Sequence, residues 1–131
     1  MIGPIYADVM ELLATNGFGS IGVDIYGGEW GEPDGQILCL DGAGTSSDLP
    51  GTYEMPSVQI LVRGSKRQAD IEVYTRAKAV SNFLLSQSDC TVANGTSYKG
   101  FEEGSNLAPI GKDNNERFIY TSNFYSWRNR E

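Results

Sequence analysis

Apolar residues recur at helical spacing near the start of the chain, with Ile5, Val9, Leu12 and Leu13 on one side. Pro4 suits a first helical turn and Asn16-Gly17 a stop, so the pattern predicts a helix over 4–16. The period then shortens to two. "SIGVDIYGG" sets Ile21, Val23 and Ile25 against Gly22, Asp24 and Tyr26, which predicts a half-buried strand. Pro33-Asp34-Gly35 marks a turn, and the apolar run "QILCL" predicts a central strand. Residues 41–55 are rich in Gly, Ser and Asp and predict a long loop.

In "PSVQILVRG", Val58, Ile60 and Val62 alternate with Gln59, Leu61 and Arg63, and Pro56 fits only at the start of that strand. Ser65 and Gln68 have the spacing of a capping box, which predicts a long helix from about residue 66 to Ser86 or Ser88. Val73, Ala77, Val80 and Leu84 form its buried seam, and Glu72 with Arg76 would pair on its surface. Asn94-Gly95 signals a turn, and "FIYTSNFYSW" predicts a last strand with β-formers on both faces. The order α-β-β-β-α-β-β predicts an α+β fold. A mostly antiparallel sheet would carry two main helices on one face, in a single domain over 1–131.

Composition narrows the chemistry. The chain has no histidine, which removes the usual general base and the commonest transition-metal ligand. Cys39 and Cys90 lack metal-ligand spacing, and Cys39 reads as a buried thiol. "GFGSIG" matches the dinucleotide glycine pattern by letter only, because it follows a helix and precedes a strand. Asp24, Glu29, Glu32, Asp34 and Asp41 crowd one region but fit no calcium loop, and read as a solvated acidic hairpin. The alternative is a small ligand- or cation-binding module without catalytic activity. "KDNNE" at 112–116 reads as a turn, and Thr45, Ser46 and Ser47 have no histidine to activate them. We therefore expect no enzyme activity, metal or cofactor. No apolar run is long enough for a spanning helix, and the first residues lack a basic signal-peptide region. Synthesis in the cytoplasm and no membrane partner are expected.

Charge is uneven. Residues 1–62 hold nine acids and no Lys or Arg, whereas residues 63–131 hold ten bases and eight acids, or −9 against +2 in a total of −7. Such acidity disfavours nucleic acid. Its polarity offers a head-to-tail contact, acidic half to basic half. Arg63, Lys66 and Arg67 form a small basic cluster at the start of the long helix.

"MPSVQILVRGS" before that helix, and "NLAPIGKDNNERFIYTSNFYSWR" later, resemble the minor capsid or tail-terminator proteins of long-tailed bacteriophages and prophages. The shared pattern is a proline-led strand ending in Arg-Gly, a helix soon after, a Pro-x-Gly-x-Asp turn and a last strand containing Asn-Phe. It spans roughly residues 20–128. The resemblance implies a virion subunit that closes into a ring, typically six-membered, capping the tail tube where the head joins. Its partners would be further copies, the tail-tube protein and a head-completion or connector protein. The expected interface is Arg63, Lys66, Arg67, Tyr125, Trp127, Arg128 and Arg130, with the end of the last strand reaching a neighbour.

Overall fold

The computed structural model describes residues 3–31, 34–42 and 53–129. Its elements run α1 (Ile5–Thr15), β1 (Ile25–Gly27), β2 (Gln36–Asp41), β3 (Tyr53–Glu54), β4 (Ser57–Arg63), α2 (Asp70–Ser86), β5 (Ser88–Thr91), β6 (Ser97–Lys112) and β7 (Phe118–Asn129). The expected α+β order holds, with the short strands β3 and β5 added. The sheet order is β1-β2-β4-β7-β6-β5, and β3 pairs with β7 beyond the end of β4.

Both helices pack on one face of this sheet. Ile5, Val9 and Leu13 of α1 join Val73, Ala77, Val80 and Leu84 of α2 in a single core with Val58, Ile60 and Val62. The helical seam and the strand alternation are thus two halves of one contact, as their periods required. On the opposite face Leu38, Leu61 and Ile119 form a smaller cluster with Tyr26, Trp30 and Leu40. The last strand follows period two along its length. Tyr120, Ser122, Phe124, Ser126 and Arg128 are buried, while Thr121, Asn123, Tyr125 and Trp127 are half-buried between them.

Helix α1 ends as its sequence demanded. Gly17 takes φ 85°, and the N–H groups of Gly17 and Phe18 reach back to the carbonyls of Ala14 and Leu13. The next stretch departs from expectation. Residues 20–24 form a turn, because Asp24 accepts the Ser20 N–H at 2.5 Å and the Ser20 carbonyl accepts the N–H groups of Val23, Asp24 and Ile25. Ile21 and Val23 are therefore 52% and 63% exposed, not half-buried in a strand. Only Ile25–Gly27 is extended, and it pairs with β2 in parallel.

The capping expectation is displaced by one turn. Ser65 N–H does donate to Gln68 Oε1 at 2.8 Å, but in a turn before the helix. The helix starts at Asp70, where Ala69 N–H donates to Glu72 Oε1. Arg76 does not pair with Glu72. Its guanidinium donates to the carbonyls of Gly35 at 2.5 Å and Phe18 at 3.3 Å, tying α2 to the turns flanking β1. Strand β6 is 16 residues long, and four register shifts against β7 break its alternation.

Candidate functional site

The expected interface residues separate into three environments. Lys66 and Arg67 are exposed in the turn before α2. Tyr125 and Trp127 are half-buried on the sheet face that neither helix covers. There Tyr125 lies across Gly104 so closely that a Cβ at Gly104 would stand 2.6 Å from the ring. Arg63 and Arg128 are inside the subunit, at 4% and 9% exposure. Arg130 lies outside the described residues, as do Glu32, residues 45–47 and most of the 41–55 loop.

Arg63 is a structural cation rather than a solvated rim charge. Its guanidinium stacks 4.3 Å from the Trp30 ring centroid, donates to the Gly31 carbonyl at 2.8 Å and stands 3.9 Å from Asp113. Burial, then the like charge of Arg117, pulls it below its usual pKa. Arg117 completes the cluster, with Asp113 at 2.8 Å and Asp34 at 3.0 Å. Asp113 also accepts the N–H groups of Asn115 and Arg117, which makes "KDNNE" the turn its residues suggested. Its burial works against the charged form, but the hydrogen bonds from Arg117 and Asn115 win and hold its carboxyl below the usual value.

Arg128 anchors a second network. It donates to Glu54 at 2.6 Å, to the Gly3 carbonyl at 2.9 Å and to Tyr98 Oη at 3.2 Å. Tyr98 Oη donates in turn to Asp8, which also accepts from Asn94 at 3.2 Å. Tyr98 is fully enclosed and Asp8 is 3% exposed. Desolvation outweighs the lowering effects of the Tyr98 hydrogen bond and the Arg128 charge at Asp8 and raises its carboxyl pKa. The sequence held one clue to this site: Asp8 sits inside the apolar stripe of Ile5, Val9 and Leu12, where a carboxylate needs buried partners. Glu54 and Tyr98 carried none.

These ion pairs also revise the charge picture. Asp34 pairs with Arg117, and Glu54 with Arg128, so acids of the first half neutralise bases of the second within one subunit. The sheet interleaves the two halves, since β7 lies between β4 and β6. The −9 and +2 halves are not two separate faces. The acidic region is likewise dispersed: Asp24 caps a turn, Asp34 pairs with Arg117, and Asp41 accepts the Tyr6 N–H at 3.0 Å. Among the described residues no three His, Cys, Asp or Glu side chains gather into a metal-binding group. The arrangement ties distant elements of the sheet together through ion pairs and hydrogen bonds.

The family model described as bacteriophage tail terminator protein matches residues 12–126. The chain belongs to that family. It is a structural protein of the phage tail, a virion component and not an enzyme. No sequence among curated proteins matches it. Among solved structures, a chain of the virion of a native gene transfer agent particle is similar in fold. The TM-score is 0.66 at 16% identity, covering 98% of this chain and 96% of that one.

Proposed function

We propose that this tail terminator is a single-domain subunit that closes with copies of itself into a ring, six-membered as the family resemblance implies. The ring caps the tail tube and offers the surface to which the head joins. Its partners are the tail-tube protein on one side and a head-completion or connector protein on the other. The observation that carries the reading is the family match over residues 12–126. The fold supports it. Tyr125 and Trp127 lie on a sheet face without a helical cover, where aromatic side chains can supply interface area. Lys66 and Arg67 remain as exposed charges at the rim of α2.

Negative-stain microscopy of the purified chain, alone and mixed with tail tubes, tests the reading. A ring at one end of the tube, with a mass by mass photometry of six subunits, is expected. A chain that stays monomeric and does not bind tubes overturns it, and a ring of another number overturns only the stoichiometry.

A further inference from the structure

The bases of this tail terminator are mostly committed. Arg63, Arg117 and Arg128 are buried in the two networks, Arg76 holds two carbonyls, and Lys99 and Lys112 pair with Asp89 and Glu116. Among the described residues, Lys66, Arg67 and Lys78 are the exposed bases that make no ion pair, and all three lie on α2 or the turn leading into it. The exposed acids of α2, Asp70 and Glu72, sit in its first turn, where they accept from Tyr120 Oη and the Ala69 N–H; beyond Glu72, Lys78 is the one charge on the outer face. Ile71, Tyr74, Thr75, Lys78, Asn82 and Leu85 recur there at helical spacing, and all six are exposed. Half of the large hydrophobics exposed among the described residues are on this stripe, with Ile71 at 65%. A soluble helix ordinarily turns its polar face outward, so the stripe has the composition of a contact surface with a cation at its centre.

The matching surface is on the same molecule. Glu102 and Glu103 are exposed on β6 and make no ion pair among the described residues. Strand β5 covers β6 only up to Gly100, so this acidic stretch has β7 on one side and no described strand on the other. With a net charge of −7, copies of this chain repel unless a contact brings uncommitted bases to uncommitted acids. We infer that the outer face of α2 receives the Glu102–Glu103 segment of a second copy. Two different patches are joined, so the contact is heterologous and can propagate around a ring. The inference rests on the ring reading above and names its subunit contact.

The test is sedimentation of the full chain at low salt, with and without tail tubes, for Lys78→Glu, for Glu102→Lys with Glu103→Lys, and for the three changes together. Each one-sided variant should raise the concentration needed for assembly about tenfold, because attraction becomes repulsion. The combined variant should recover most of that loss. All these positions are exposed, and circular dichroism checks that each variant folds. If rings form equally in every variant, or the combined variant is no better than either side alone, the α2 contact is wrong while the ring stands. If the wild type forms no ring with or without tubes, both readings fall.

Discussion

Arg128 Nη1 donates to the carbonyl of Gly3 at 2.9 Å, across 125 positions of sequence. The same guanidinium holds Glu54 and reaches Tyr98, so β3, β6, β7 and the segment before α1 converge on one side chain. Removing one partner of a buried pair leaves the other charge without compensation, at about 3–5 kcal/mol. Arg128→Ala should therefore lose stability on that scale, read as a lower urea midpoint. A loss no larger than that of an ordinary surface substitution, within about 0.5 kcal/mol, would mean that the network contributes little.

Asp8 and Asp113 should pull stability in opposite directions with pH. The folded-state pKa of Asp8 is raised above its ordinary 3.8, so the folded protein holds that proton more tightly than the unfolded chain does. Its cost is absent below the unfolded value and grows as pH rises through the folded one. The pKa of Asp113 is lowered from the same 3.8, so its contribution is complete above that value and disappears as pH falls through the folded one. From about pH 7 to about pH 3 the wild type should gain on Asp8→Asn and lose on Asp113→Asn. Urea titrations of the three proteins across that range report both slopes, and slopes of equal sign would contradict the assignments.

Leu84 is fully buried where α2 meets the sheet. Leu84→Ala should cost about 2–5 kcal/mol through lost transfer energy and a residual cavity. Chemical denaturation measures it, and a near-neutral result would place the helical seam elsewhere.

Charge reversal should separate Arg63, at the end of β4, from Arg67, in the turn before α2. Arg63→Glu puts an acid beside Asp113 and beneath Trp30, and should unfold or strongly destabilise the subunit. Arg67→Glu changes an exposed position and should leave the melting curve nearly unchanged. Parallel thermal melts decide the point, and equal behaviour would mean that Arg63 is not buried as described.

The thiols give a chemical check on the sheet. Cys39 is buried in β2, and desolvation pushes its pKa up to about 12. Cys90 is half-buried at the sheet margin. Native protein should be alkylated at Cys90 well before Cys39, because the thiolate is the reactive form. Mass spectrometry of partially labelled protein shows the order.

Patterns with one strong period were readable from sequence. Val73, Ala77, Val80 and Leu84, or Val58, Ile60 and Val62, each specify a face without help from distant residues. Ile21 and Val23 misled because a single side chain, Asp24, captured the Ser20 N–H and closed a turn that apolar alternation does not encode. Strand β5, "SDCT", is too short and polar to announce itself, and the register shifts of β6 erase its period. Arg63 looked like a surface charge because its ring partner, Trp30, lies past the end of β1, far away in sequence. Tyr125 and Trp127 stood out as candidates by composition alone, while the stripe on α2 needed the helix boundaries and the fate of every base.

The position of β7 bears on when the subunit can form. Residues 57–63 pair with 119–125, and β6 pairs with β7 on its other side, so two earlier strands wait for one that follows them in the chain. Until then their inner edges lack hydrogen-bonding neighbours, and contacts so distant in sequence carry a large loop-closure cost. The centre of the sheet accordingly cannot close before β7 is available. A nascent polypeptide halted before Phe118 would expose those edges, and would be a substrate for chaperones rather than for assembly.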